Sequence, residues 1–232
     1  AGPVIDRLHQ EGTPILVVGG TGLYLKALTR GLFASPGADP ELRRILKGRA
    51  AREGVSALYG ELSEVDPAAA ARIHPGDLLR IVRALEVHFQ TRRPISEFQV
   101  AHGFQEKPYE TLKFGLIRDR EDLYRRIELR VDRMIADGWV EEVRALLRSG
   151  YSRDLKSMNS LGYRHLASHL SGEEGFEQTM EAIKRDTRRY AKRQLTWFRA
   201  DEEVCWLSPD PENEAKIEDL ARRFFESGER AP

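Results

Sequence analysis

An apolar run that ends in closely spaced glycines is the feature that most constrains the fold. Residues 14–28, PILVVGGTGLYLKAL, place four consecutive apolar side chains directly before Gly19, Gly20 and Gly22. A run that is apolar throughout is typical of a parallel strand buried on both faces, and the glycines permit a sharp turn. The stretch therefore predicts a strand over Pro14–Val18 that turns into a helix, as in an α/β domain.

Few other segments resemble strands. Thr111–Ile117 and Glu203–Leu207 are the two further candidates, and an amphipathic helix is predicted at the very start, ending at Gly12. A parallel strand needs neighbours on both sides. We therefore expect strands that precede Ala1 to belong to the native protein.

The remainder of the sequence predicts helices. Asp39 is a helix N-cap with Pro40 at the first helical position, and Asp77 caps a later helix in the same way. Residues 91–108 are predicted to be a loop. The predicted helices are Asp39–Gly54, Ser56–Ser63, Asp66–Arg72, one after Asp77, Arg120–Ser149 with a break near Gly138, one after residues 159–164, and Phe176–Arg199 as the last long helix.

Composition excludes several classes of protein. The 232 residues are 41% hydrophobic and 32% charged, and no apolar run approaches the length of a membrane span. The single cysteine, Cys205, excludes an internal disulfide framework and favours a reducing compartment. We therefore expect a cytoplasmic protein with no membrane partner.

The charge balance is neutral overall and basic locally. Lys and Arg number 37 and Asp and Glu also 37, whereas residues 184–199, KRDTRRYAKRQLTWFR, hold seven basic side chains against one acid, Asp186. Arg185, Arg188, Lys192 and Arg199 recur at helical spacing beside aromatic residues. This pattern suits a phosphate backbone with unstacked bases, and it equally suits a solvated helix face paired with acids elsewhere.

Two other motifs leave alternatives open. The sequence GGTGLY matches neither the Walker pattern nor the dinucleotide fingerprint, so it does not specify a phosphate or dinucleotide ligand. It fits either a ligand-facing wall or a plain tight turn. Arg126, Arg130 and Arg133 could grip phosphate oxygens, but alternation with Glu128 and Asp132 favours ion pairs within the helix. The histidines show no metal-ligand spacing, and no protein-held metal is predicted.

A longer set of motifs, in order, carries a family resemblance. The segments PILVVGGTGLYLKALTRGL, ADPELR, EVDPAAAARIHPGDLLRIVRALEV, LYRRIELRVDRMIADGWVEEVRALL, LGYR and RRYAKRQLTWFR resemble the bacterial tRNA dimethylallyltransferases from about Ala1 to Leu207. The resemblance implies transfer of a dimethylallyl group from dimethylallyl diphosphate to N6 of adenosine 37 in tRNAs that read codons beginning with U. It favours the ligand-wall interpretation of GGTGLY.

The resemblance also implies a domain organisation. It is an α/β fold with a P-loop NTPase-like core, residues 1–32 and 105–232, and an inserted all-helical domain, residues 33–104, that contacts the tRNA anticodon stem-loop. The family's N-terminal third, with its phosphate loop and general base, is absent from this sequence. We therefore expect this chain to be inactive alone, and Mg²⁺ to be held mainly through the diphosphate and the missing segment. We also expect a monomer.

Residue roles follow from the same resemblance. Thr21 lies beside the target base, and Arg130 is the diphosphate-binding arginine, so these two are the catalytic candidates. The residues expected to contact tRNA are Thr21, Arg43, Leu79, Arg80, Ile81, Val82, Arg83, Asn159, Ser160, Leu161, Gly162, Tyr163, Arg164, Lys192, Arg193, Gln194, Leu195, Thr196, Trp197, Phe198 and Arg199.

Two alternative functions remain at this point. An adenylate isopentenyltransferase would act on a free nucleotide and has little use for a tRNA-clasping insertion. A non-catalytic RNA-binding module would bind RNA without turnover.

Overall fold

The computed structural model describes residues 1–33, 35–103 and 106–227. Within these residues the chain forms twelve helices and two strands. In chain order they are α1 Gly2–Gln10, α2 Gly22–Arg30, α3 Pro40–Glu53, α4 Val55–Val65, α5 Pro67–Ala70, α6 Leu78–Thr91, α7 Ile95–His102, β1 Lys113–Leu116, α8 Arg120–Ala136, α9 Trp139–Arg148, α10 Tyr163–Leu170, α11 Phe176–Phe198, β2 Val204–Leu207 and α12 Pro211–Ser227.

The chain divides into two compact units. The first, which we call the helical unit, comprises Ala1–Val4 and Leu23–Glu110, and the second, the sheet unit, comprises Ile5–Gly22 and the described residues from Thr111 onward. The expected inserted domain over residues 33–104 stays a prediction, and its boundary at Phe104 and Gln105 lies outside the described residues.

Apolar stripes on α3, α4 and α6 build the core of the helical unit. Leu46, Leu58, Leu62, Ile81 and Leu85 are each at most 1% exposed and pack in one cluster. The caps predicted from sequence begin these helices: the Asp39 carboxylate accepts from the backbone N–H groups of the first turn of α3, and that of Asp77 does so for α6.

A buried carboxylate joins α5 to α7 in the same unit. Asp66 is 2% exposed, and its two oxygens accept the backbone N–H groups of Ala69 and Ser96, each at 2.9 Å. One side chain thereby caps the starts of two helices, and it reaches across thirty positions of sequence to the N–H of Ser96. The helix α7 itself was not expected, because residues 91–108 were predicted to be a loop, and this prediction was wrong over Ile95–His102.

The sheet unit combines a small parallel sheet with helices α8 to α12. Strands β1 and β2 pair in register from Lys113 with Val204 to Leu116 with Leu207, which confirms both sequence-predicted segments in shortened form. The predicted break in the long helix is confirmed at Gly138, whose φ of 99° ends α8 and begins α9. Val143, Leu166 and Ile183 are fully buried in the core of this unit.

Two further sequence predictions differ from the structure. Pro14–Val18 is not a strand, and Leu16 and Val18 are 87% and 85% exposed. A strand exists only where a neighbour completes its backbone hydrogen bonds, and no described segment pairs with these residues. Phe176–Arg199 was predicted to be the last long helix, but α12 follows it with 17 residues that open on Pro211.

Candidate functional site

The glycine turn packs against the C-terminal half of α11. The side-chain amide of Gln194 donates to the carbonyl of Gly20 at 2.8 Å, and a Cβ on Gly22 would meet the Trp197 ring. Thr21 lies between these two contacts and is exposed. The glycines therefore permit close approach of backbone to side chain, and the turn presents the Thr21 hydroxyl to solvent beside a basic helix.

That helix has two halves with different surroundings. Its buried residues, Thr179, Ala182 and Ile183, all lie near its start. In the stretch from Lys192 to Arg199, Gln194, Leu195 and Phe198 are half-buried, whereas Lys192, Arg193, Thr196, Trp197 and Arg199 are exposed.

The basic residues of α11 divide in the same way. Arg188 is bound to Glu128 of α8, while Arg185 and Arg189 contact Asp186. Lys192 and Arg199 form no ion pair within the described residues, and the Arg193 guanidinium lies 5.7 Å from the Tyr190 ring centroid. A row of cations without acidic partners among the described residues, beside exposed aromatic rings, is compatible with binding a phosphate backbone and stacking unpaired bases.

Helix α8 carries the arginine expected to bind diphosphate. Arg130 is exposed and has no ion-pair partner among the residues described. Arg126 pairs with Asp122 at 2.9 Å, and hydrogen bonds from Arg125 and Arg126 lower the pKa of Asp122 to about 2. An unpaired guanidinium is the state that can take up a phosphate group without first losing a partner.

The expected ion pairs within α8 form only in part. Arg126 has a partner on its own helix, but Glu128 binds Arg188 and Asp132 binds Lys184, both on α11. The prediction was wrong for these two acids because helix packing brings α11 cations within reach of α8 acids. Arg130 itself has no acidic residue three or four positions away on α8, and it has no ion-pair partner among the described residues.

The segment Asn159–Arg164 forms the entry to α10. Asn159, Ser160 and Arg164 are exposed, Leu161 is half-buried, and Gly162 is buried. A Cβ on Gly162 would meet the Trp139 ring, and the Tyr163 hydroxyl donates to Glu142 at 2.6 Å. An open cavity of about 670 Å³ lies beside the segment, lined by Ser152, Arg153, Asp154, Asn159, Arg164, His165, Ala167, Ser168 and Glu174.

The remaining candidates lie in the helical unit, on α6 and α3. Leu79 is 72% exposed, and Arg80 is exposed with an ion pair to Asp77 at 3.4 Å. Ile81 and Val82 belong to the buried core, so their side chains do not face a ligand. Of the candidates from Leu79 to Val82, Leu79 and Arg80 are the two with exposed side chains.

Arg43 and Arg83 converge on a buried carboxylate that the sequence analysis did not single out. Glu86 is wholly buried and accepts from Arg43 at 2.8 and 2.9 Å, from Arg83 at 2.5 Å, and from the backbone N–H of Asp39 at 2.7 Å. Arg83 also donates to Ser35 and to the carbonyl of Pro36. The signal in the sequence is an acid within the apolar stretch RALEVHF of α6.

The electrostatics of Glu86 follow from these partners. Burial alone would raise the pKa of its carboxyl, but hydrogen bonds from Arg43, Arg83 and the Asp39 N–H lower it to about 2. Both arginines therefore hold the fold of the helical unit together. Arg43 remains 38% exposed, and its Nη1 is not used by Glu86.

The described residues contain no group of three or more His, Cys, Asp or Glu side chains placed to hold a metal ion. Among them, no helix is long and apolar enough to cross a bilayer.

A glycine turn on a basic helix, a small parallel sheet and an exposed arginine on a neighbouring helix are the features that any family assignment must accommodate. The chain belongs to the IPP transferase family, whose model matches residues 1–201.

Particular relatives and solved structures agree with this. A tRNA dimethylallyltransferase of Geobacter sulfurreducens is 51% identical over 225 residues, covering 97% of this chain and 72% of the relative. The full-length tRNA isopentenylpyrophosphate transferase of Bacillus halodurans matches with a TM-score of 0.64 and 35% identity, over 97% of this chain and 71% of that one. A eukaryotic dimethylallyltransferase, 24% identical with a TM-score of 0.73 over 96% of this chain and 58% of its own, shares the fold.

Proposed function

We propose that the chain acts in transfer of a dimethylallyl group from dimethylallyl diphosphate to N6 of adenosine 37 of tRNA, giving N6-isopentenyladenosine. The observation that carries the proposal is the packing of the glycine turn onto the unpaired basic end of α11, which places Thr21 beside Gln194 and Trp197. A nucleobase could lie against this turn while the neighbouring phosphates bind Lys192, Arg193 and Arg199. Family membership supports the same assignment.

The chemistry is a substitution at the allylic carbon. The bond between this carbon and the diphosphate oxygen breaks, its electron pair stays with diphosphate, and N6 of adenine forms the new bond and loses a proton. Charge therefore develops on the leaving diphosphate in the transition state. Arg130, exposed and without an acidic partner among the described residues, has the hydrogen-bond donors needed to stabilise this charge.

The RNA must be distorted for this reaction. A base stacked in the anticodon loop exposes N6 only when it leaves the stack, and phosphate contacts on either side hold the opened loop. Thr21 is the positioning group for the base in this proposal. Lys192, Arg193 and Arg199 are the phosphate ligands in this proposal, together with Arg164, which also binds Asp186. Within the helical unit, Arg80 is a separate phosphate ligand that also pairs with Asp77.

The proposal includes a P-loop NTPase-like fold for the core and Mg²⁺ as the metal that accompanies the diphosphate. The parallel sheet and its helices are the part of a P-loop NTPase-like core that this chain would supply, with the helical unit as the inserted tRNA-binding domain. Mg²⁺ would neutralise diphosphate charge when bound. The described residues offer no group of three or more His, Cys, Asp or Glu side chains placed to hold it.

The test is transfer of a radiolabelled dimethylallyl group to an unmodified anticodon stem-loop. Two proteins are assayed: the chain itself, and the chain joined to the part of the Geobacter sulfurreducens relative that lies outside the match. Label appearing in N6-isopentenyladenosine with either protein supports the proposal. RNA binding by both without transfer would overturn it in favour of an RNA-binding module, and label on free AMP in preference to RNA would indicate an adenylate isopentenyltransferase.

A further inference from the structure

Helix α10 begins at a residue that cannot cap it. Gly162, at the N-cap position with a φ of 90°, has no side chain to accept the first backbone N–H groups. The backbone N–H of Gly162 is itself satisfied by Nδ1 of His165, at 3.3 Å. This is the half of a capping box that a Glu or Gln three residues into the helix ordinarily supplies. Here a histidine supplies it.

The same imidazole reaches a second element. Because Nδ1 accepts from Gly162, the proton of the neutral ring is assigned to Nε2, which lies 3.2 Å from Oδ2 of Asp186 on α11. The His165 side chain is 10% exposed. The ring therefore bridges the 159–164 segment to the basic helix while almost fully removed from solvent.

Asp186 is the acid at which these groups meet. Its Oδ2 also accepts from Arg164 at 2.8 Å, and its Oδ1 contacts Arg185 at 3.4 Å and Arg189 at 3.3 Å. Burial raises the pKa of Asp186, but hydrogen bonds from His165, Arg164 and Arg185 lower it on balance. The carboxylate is thus held ionised as the acceptor for both residues of α10.

We propose that His165 is a positioning residue for RNA: it fixes the 159–164 segment against α11 so that Arg164 faces the same phosphate backbone as Lys192 and Arg193. The proposal rests on the proposed function, and it assigns no chemical step to the imidazole. The contacts that carry it are Gly162 N–H to Nδ1 and Nε2 to Asp186.

Variants of His165 distinguish the effect of its two hydrogen bonds from the effect of the space that its side chain fills. H165Q keeps an oxygen for the Gly162 N–H and an amide N–H for Asp186, whereas H165L fills the space with neither. His169 is the matched control, because it lies on the same helix and bonds the carbonyl of Glu174 at 3.0 Å, away from the 159–164 segment.

The measurement is binding of a fluorescent anticodon stem-loop to each variant, at several salt concentrations. We expect H165L to bind about tenfold more weakly and to lose about one unit of salt slope, as for one displaced phosphate contact, with H165Q and H169L within about twofold of wild type. Wild-type affinity in H165L, or a loss in H165Q equal to that in H165L, would overturn the inference. Failure of the wild-type chain to bind RNA would overturn the proposed function itself.

A second measurement needs no variant and applies if H165L does not fold. Bound RNA should slow amide hydrogen exchange in peptides covering residues 159–165 and leave residues 171–176 unchanged. Unaltered exchange at 159–165 in the RNA complex would refute the positioning role even where RNA binds tightly.

Discussion

The arginines of this protein differ in function, and the function of each is indicated by whether it has an acidic partner. Arg43 and Arg83 bind the buried Glu86, whereas Arg130 is exposed with no acidic partner in the described part of the chain. An arginine held by a buried acid contributes to the fold first, since breaking that pair leaves a charge uncompensated. An unpaired one is available to a ligand.

The first residue-scale prediction concerns Arg130. Replacing it by Gln should raise KM for dimethylallyl diphosphate and lower kcat/KM by about a hundredfold, because one charge-assisted contact to the leaving group is lost. Affinity for RNA should stay within about twofold. Steady-state kinetics and RNA titration on the catalytically active protein measure both.

The control for Arg130 is Arg133→Gln. Arg133 is likewise exposed, lies one turn further along α8, and has no ion pair among the described residues. Equal losses in the two variants, or a loss confined to RNA affinity, would contradict the diphosphate assignment.

The second residue-scale prediction concerns Glu86. Replacing it by Gln should lower the free energy of unfolding by about 3 kcal/mol at neutral pH, as for a buried pair that has lost one partner. Thermal and urea denaturation followed by circular dichroism measure the change. Glu97→Gln is the control, because that exposed acid pairs with the exposed Arg93 and should change stability by about 0.5 kcal/mol or less.

The pH dependence of the same pair gives an independent check. The pKa of Glu86 falls from its ordinary 4.5 to about 2 on folding, so its contribution is fully present above pH 4.5. That contribution is lost as the pH falls from 4.5 through 2. The stability difference between wild type and the Gln variant should therefore shrink across this window, and a constant difference would refute the role of the charge.

At the scale of the element, α11 joins two tasks in one helix. Its first turns are anchored in the core by Thr179, Ala182 and Ile183, and its middle is tied to α8 through Arg188 and Lys184. Its last two turns present cations that form no ion pair within the part of the chain that the structure describes. A helix fixed at one end by burial holds the charges at its other end in a defined row without ordering them at the moment of binding.

The element-scale prediction tests that row. Replacing Lys192 by Ala should weaken RNA binding severalfold for any sequence and reduce the slope of log K against log salt by about one, since one phosphate contact is removed. Titrations at four or more salt concentrations measure the slope. Arg222→Ala, an exposed arginine on α12, removes the same charge elsewhere. An identical change in the two variants would indicate a net-charge effect only.

At the scale of the whole molecule, the division into two compact units has a testable consequence. Every fully buried member of the helical unit's core lies between Leu46 and Ile95. A core completed within one contiguous stretch predicts a segment that folds by itself.

The whole-molecule prediction is therefore that residues 23–110 fold in isolation. Circular dichroism should show a helical spectrum and one cooperative thermal transition, because the apolar cluster and the Glu86 pairs are internal to the segment. The same segment with Glu86→Gln should melt at a lower temperature. A broad, non-cooperative transition in the unmodified segment would contradict the prediction.

Local signals in the sequence determined most of the helices and the N-cap residues at which they begin. Asp39, Asp77 and Pro40 act within one turn of their own position, and the apolar stripe of α6 acts within its own helix, so neither depends on distant residues. The motif order indicated the family before the geometry was known. The basic residues 184–199 of α11 were likewise evident from the sequence, although their pairing and exposure were not.

Only the tertiary structure decided which charged side chains are paired within the protein and which are available to a ligand. Whether Arg43 is paired depends on Glu86, 43 positions away, and whether Glu128 pairs within α8 depends on Arg188 of another helix. The segment Pro14–Val18 has the sequence of a strand, but strand pairing requires a partner that sequence alone does not supply. Local sequence thus determines helix starts and stripes, whereas long-range packing determines pairing, burial and the charges that remain for a ligand.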